Sequence, residues 1–213
     1  MNIVLTNIVV TIPPRQRILF RIHDFRIPFG SRVVVHGPSG IGKTTLLHLI
    51  AGLFLPDEGD VTIGNDRLRI LNDRQRSRLR RDKFGIVFQR LNLVDHLNAI
   101  ENVVLPLRPA VESSKRATEA LRKLGLANLA REPVAHLSLG EQQRVAVARV
   151  LATSPLLILA DEPTSSLDER NAFEVFDALW TASEQKTLLV VSHDKRIHNR
   201  FDTVIDFRQL TTS

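Results

Sequence analysis

The sequence predicts an α/β fold built on a mainly parallel sheet covered by helices on both faces. Three observations carry that expectation. From Leu156 onward, short apolar runs alternate with helical patterns, the order that parallel strands with crossover helices require. The glycine-rich stretch Gly37-Pro38-Ser39-Gly40-Ile41-Gly42-Lys43-Thr44 lies between the apolar run Val33–Val35 and an apolar helical pattern. Upstream, residues 3–12 and 18–28 alternate apolar and polar positions, as strands of a separate N-terminal antiparallel β part would.

The remaining elements follow in order. Pro13-Pro14 reads as the turn between the first two strands, and Val33–Val35 as a short buried strand. A helix is expected from Thr44 to Ala51, stopped by Gly52. Pro56-Asp57-Glu58-Gly59 is a turn, and Asp60–Ile63 a strand that stops at Gly64-Asn65. Asn72–Arg81 reads as a short basic helix and Phe84–Phe88 as a strand ending at Gln89. From about Asn98 to Ala130 the apolar spacing is helical, broken at Pro106 and Pro109, so a small helical subdomain of about residues 98–136 is expected beside the sheet. Ser138 and Glu141 have capping-box spacing, opening a helix from Glu141 to Ala152. Strand Leu156–Ala160, helix Glu169–Ser183, strand Thr187–Val191, helix Lys195–Arg200 and strand Thr203–Phe207 complete the chain.

Composition narrows the function classes. A chain of 213 residues, 43% hydrophobic and 24% charged, suits one globular domain, taken as residues 1–213. Cysteine is absent, which excludes disulfides and thiolate metal sites and fits a reducing cytosol. No secretory signal is expected from the first residues, and no apolar run approaches the roughly 20 residues of a membrane span. A net charge of +6 raises the question of nucleic acid. The densest basic stretch, Arg74 to Lys83, has no interleaved aromatics and is flanked by Asp73 and Asp82. It reads as a solvated helix face, and nucleic acid is not expected as a partner.

The chemistry concentrates at strand ends, where open parallel sheets bind ligands. Gly37–Thr44 fits G-x-x-x-x-G-K-[ST] in the context of strand, loop and helix. Its glycines let backbone N–H groups turn toward phosphate oxygens, and the helix N-terminus adds partial positive charge. Lys43 would reach the β- and γ-phosphates; the Thr44 hydroxyl would hold Mg²⁺. Asp161 and Glu162 directly follow a buried strand, Asp161 suited to the Mg²⁺ shell and Glu162 to orienting or deprotonating water. His193, in Ser192-His193-Asp194, ends another strand and is a candidate contact for the γ-phosphate. Gln89 ends a third. Taken singly, each of these has a bland alternative: a structural histidine, a surface amide, two acids in a loop.

Together these residues resemble the ATPase subunits of ABC transporters. The likeness runs from about Asn2 to Phe207 on Gly37–Thr44, Gln89, Leu137-Ser138-Leu139-Gly140-Glu141-Gln142-Gln143-Arg144, Leu157–Glu162 with Pro163-Thr164, Ser166-Leu167-Asp168 and His193. Phe84–Gln89 and Ile100–Val103 are similar to the branch serving lipoprotein release, macrolide-type export and cell division. The resemblance implies a P-loop NTPase with ATP and Mg²⁺ as cofactors. ATP would be held by Gly37, Pro38, Ser39, Gly40, Ile41, Gly42, Lys43, Thr44 and Thr45, with Ile12 beneath the base. It implies a head-to-tail homodimer in which Ser138 and Gly140 meet the partner's nucleotide and Asp168 communicates across the interface. Glu162 would be the base, Gln89 the sensor of Mg²⁺ and water, and His193 the switch. The implied second partner is an integral permease, with the chain cytoplasmic and peripheral on the inner face of the membrane.

Two positions depart from the family pattern. Leu139 replaces a glycine, which implies weaker or slower closure of the dimer. The aromatic that stacks on adenine is missing, since the chain has no tyrosine and carries Ile12 there; an aliphatic surface or Phe20 would take its place. Two other readings share the same residues. One is an ABC-type ATPase acting outside transport, for example on a cell-envelope or nucleic-acid complex; the other is a nucleotide-gated scaffold.

Overall fold

The computed structural model describes residues 1–12, 17–164 and 167–211. The expected Pro13-Pro14 turn and Ser166 lie outside the described residues. Strands β1 (Ile3–Ile12) and β2 (Arg17–Ile27) lead into β3 (Arg32–His36) and helix α1 (Lys43–Ile50). Then come β4 (Glu58–Ile63), β5 (Asp66–Arg67), α2 (Asp73–Lys83) and β6 (Phe84–Val87). Helices α3 (Ala99–Val104), α4 (Val111–Lys123) and α5 (Leu139–Thr153) precede β7 (Leu157–Asp161), α6 (Glu169–Ala182) and β8 (Thr187–Val191). β9 (Thr203–Asp206) and α7 (Phe207–Leu210) end the described chain.

The strands form two sheets. The N-terminal one is antiparallel, ordered β2-β1-β4-β5, with Ile3 opposite Ile27 on one side and Ile63 on the other. The second is wholly parallel, ordered β6-β7-β8-β3-β9. β7 and β8 are buried along their whole length, and the period of two sorts their side chains between two cores. Leu157, Leu159, Leu189 and Val191 pack with α1 and the antiparallel sheet. Ile158, Ala160, Leu188 and Val190 pack with α5, α6 and the helices of residues 99–126. Both faces are apolar, so the only places left for charged groups on this sheet are its ends.

Several local expectations shift. The helix after Ser138 begins at Leu139, two residues before Glu141, because the reciprocal Ser138–Glu141 cap fixes Ser138 as the residue outside the first turn. Asp161 is the last residue of β7, paired with Val191. Lys195–Arg200 is a 3-10 helix, the tighter form common in short connectors. The two-residue β5 went unforeseen because Asp66-Arg67 has no apolar pattern.

Phe20 joins the two sheets beneath the glycine loop. It is buried, with its ring 5.4 Å from Phe207 in an edge-to-face arrangement at 87°. A Cβ on Gly42 would meet Phe20 Cδ1 at 2.9 Å, and Gly42 holds φ of +115°. Both space and backbone therefore demand glycine there. Phe20 cannot support adenine, a correction to the sequence reading: its ring is spent in the core. Phe20→Ala is expected to lower unfolding stability by about 3–5 kcal/mol, measured by urea titration; a loss below about 1 kcal/mol would show that this contact does not anchor the loop.

Candidate active site

The carboxyl ends of β3, β7 and β8 lie side by side in the parallel register, Val35 beside Val191 and Asp161 beside Val191. Their three loops thus meet at one edge. Ile12, Leu19, Ser39, Gly40, Gly42, Lys43, Thr44, Thr45, Gln89 and Glu162 line a cleft of about 250 Å³ there. Ile12 is 44% exposed and, with Leu19, supplies an aliphatic wall to that cleft.

Lys43 is buried and donates from Nζ to the carbonyl oxygens of Gly37 (2.8 Å) and Pro38 (3.0 Å), with Glu162 Oε1 at 4.0 Å. The ammonium is therefore already desolvated and aimed into the loop that the glycines shape. Thr44 Oγ1 donates to Asp161 Oδ1 at 3.2 Å, tying the start of α1 to the end of β7. Asp161 Oδ2 is buried without a hydrogen-bond partner. Burial raises the Asp161 carboxyl above its ordinary range, opposed by the Thr44 hydrogen bond and the positive fields of His48 and Lys43. A buried, unsatisfied carboxylate oxygen costs stability unless something arrives to pair with it, and a cation fits that requirement.

Glu162 stands in the left-handed backbone region, φ +46°, a conformation that costs a side-chain-bearing residue about 1–3 kcal/mol and that collects at functional sites. Its N–H donates to the Val191 carbonyl at 2.9 Å, which pins it against β8. Its carboxylate accepts from Ser192 Oγ (2.9 Å) and the His193 N–H (3.1 Å), and His193 Nδ1 lies 2.8 Å from Oε1. The two loops are also tied by Thr164, whose hydroxyl donates to Asp194 Oδ2 at 2.9 Å. Arg196 beside Asp194 pulls that carboxyl down to about 2.

From the sequence, Thr164 is named only within the motif after Leu157–Glu162, and Ser192 and Asp194 only as neighbours of His193, none of them with a role. For Ser192 and Asp194 the available signal is polarity just after a buried strand. Gln89 is exposed and reaches the cleft from the loop after β6. Ser138, Gly140 and Asp168 do not line the cleft. Ser138 caps α5, donating from Oγ to Glu141 Oε2 (2.7 Å) while the Glu141 N–H points back to it. Asp168 caps α6 through the Asn171 N–H at 3.0 Å, and the Asn171 side chain bonds in turn to Arg144 of α5. These capping bonds hold the Asp168 carboxyl below the usual range.

The family model described as ABC transporter matches residues 20–165. The chain belongs to the ABC transporter family. It binds and hydrolyses ATP, the step that powers such transporters. Among its relatives is the lipoprotein-releasing system ATP-binding protein LolD of Hydrogenovibrio crunogenus, 42% identical over 185 residues, covering 84% of this chain and 80% of the relative. An ABC transporter ATP-binding protein of Methanocaldococcus jannaschii, MJ0796, is 41% identical over 202 residues, covering 89% and 86%. The dimeric structure of MJ0796 matches with TM-score 0.89 and 38% identity over 96% of this chain and 94% of that one. A post-hydrolysis dimer of MJ0796 bound to ADP and Pi matches with TM-score 0.86 and 36% identity.

The raised Asp161 carboxyl makes a testable statement about this cassette without nucleotide. A carboxyl whose folded pKa exceeds its unfolded value binds more protons when folded, so stability falls as pH rises through that window. The penalty grows from acid toward neutral pH. Asp161→Asn should therefore raise the melting temperature of the nucleotide-free chain while removing ATP hydrolysis, and its stability gain should shrink toward acid pH. An unchanged or lower melting temperature at neutral pH would contradict the burial argument.

Proposed function

We propose that this chain is the ATPase subunit of a membrane transporter and that two copies assemble head to tail, each completing the other's site. In that arrangement the residues of Gly37–Thr45 hold the phosphates and Ile12 and Leu19 support the base. Thr44, Asp161 and Gln89 fit the Mg²⁺ that would accompany ATP. That ion neutralises developing phosphate charge when bound. Glu162, aimed by Ser192 and His193, orients and deprotonates the attacking water. His193 keeps one ring nitrogen on Glu162 and offers the other, on an exposed ring, to the γ-phosphate. Lys43 exchanges the Gly37 and Pro38 carbonyls for phosphate oxygens.

The observation that carries the two-copy reading is Gly140. A Cβ there would make only ordinary contacts, 3.6 Å from Asn171 Cγ and Leu167 Cδ2. Nothing inside the described chain requires a glycine, and glycine in a helix costs about 1 kcal/mol relative to alanine. Close approach from outside supplies a reason, at a capped helix N-terminus suited to a phosphate. The dimeric relative with 38% identity supports it. Leu139, 53% exposed in the same turn, adds bulk at that surface and slows closure. No helix among the described residues is long and apolar enough to cross a membrane. In this reading an integral permease carries the substrate across, with this chain peripheral on the cytoplasmic face. The Asp168–Asn171–Arg144 chain of hydrogen bonds offers a route between the α5 N-terminal region and α6.

Mixing two inactive variants tests the reading. Lys43→Ala lacks the phosphate contact and Gly140→Asp blocks the surface offered to the partner. A mixed dimer keeps one intact site, so mixing equal amounts should restore roughly a quarter of normal turnover. No recovery, with both variants folded by circular dichroism, would overturn sites shared between two copies.

A further inference from the structure

The basic helix α2 has two faces, and only one is accounted for by the fold. Arg80 donates to the Gly52 carbonyl at 2.7 Å and Arg76 to the Leu71 carbonyl, so these two guanidiniums close the end of α1 and the turn before α2. Arg74, Arg78 and Arg81 lie at spacings of four and three along the outer face and are exposed. With Ser77 they line a cleft of about 400 Å³ that shares no residue with the nucleotide cleft.

The charge on this face is unbalanced. Asp82 lies 3.5 Å from Arg78, 3.0 Å from Arg81 and 3.4 Å from Arg108, so three guanidiniums share one carboxylate. No carboxylate among the described residues lies within ion-pair reach of Arg74. Like charges one turn apart destabilise a helix, and among the described residues the three arginines of this face gain only the shared ion pair with Asp82 in exchange. An external anion would relieve the repulsion. All four groups are arginines, whose planar forks match phosphate oxygens in pairs.

We propose that the Arg74–Arg78–Arg81 face of α2 is a binding surface for the phosphate headgroups of anionic phospholipids. The face has no aromatic residue, and the one apolar residue of α2, Leu79, is buried. It therefore lacks both the apolar anchors of a protein interface and the stacking platforms of a single-stranded nucleic-acid site. A lipid surface needs neither, because juxtamembrane arginines are attracted by headgroup charge alone. This inference goes beyond the ATPase reading, and nucleotide plays no part in it.

Co-sedimentation of the full chain with vesicles tests it, comparing phosphatidylcholine alone with phosphatidylcholine mixed with phosphatidylglycerol. Binding is expected only to the mixed vesicles and should be reversed by salt. Arg74→Gln/Arg78→Gln/Arg81→Gln should weaken it on the order of a hundredfold, about fivefold per arginine, with basal ATPase activity unchanged. Lys115→Gln/Arg122→Gln/Lys123→Gln on α4 makes the same change in net charge and should leave binding intact. Equal loss from both triple variants would reduce the effect to net charge and overturn the proposal. So would equal binding to both vesicle types, or preference for a DNA duplex over the anionic vesicles.

Discussion

A parallel sheet buried on both faces confines its polar chemistry to the strand ends, and this protein depends on that constraint. β7 and β8 carry only buried residues, and their alternate side chains fill two separate cores. Any carboxylate or imidazole they deliver must sit where the strand stops. The register then fixes which groups meet: Asp161 ends β7 beside Val191, so Glu162 and Ser192-His193 emerge together. The hydrogen bonds among them follow from that placement.

The same constraint explains why the site stores unfavourable terms. Asp161 is almost fully buried with one oxygen unpaired, Glu162 occupies a left-handed backbone conformation, and Lys43 is buried against carbonyls. In the proposed function, phosphate would draw Lys43 from these carbonyls and a cation would pair the free oxygen of Asp161. The core beneath the loop, where Phe20, Phe207 and Gly42 interlock, offsets the strain and keeps the loop from relaxing.

The fold was legible where pattern and burial coincide. Val33–Val35, Leu157–Ala160 and Thr187–Val191 are short apolar runs that end at polar residues, and they lie in buried strands. The loop motif, Asp161, Glu162 and His193 could be singled out because each begins within two residues of the end of such a run. Contacts between distant segments could not. Ser192 and Thr164 gain their roles only once the β7 and β8 loops are adjacent, and no local spacing encodes that. Phe20 misled for the same reason: a phenylalanine near the loop looks available to a base until Phe207 is known to cover it.

The proposed function leaves half of the site to a second copy. Ser138 and Gly140 begin a well-capped helix but stand apart from the cleft formed by Gly37–Thr45. In the proposed cycle ATP brings these two surfaces together between copies, and hydrolysis through Glu162 releases them. Light scattering of Glu162→Gln with and without ATP tests it most directly. A monomer is expected without nucleotide and a stable ATP-bound dimer with it, formed by a variant that no longer turns ATP over. A mass that ATP leaves unchanged, in a variant that still binds ATP, would contradict it.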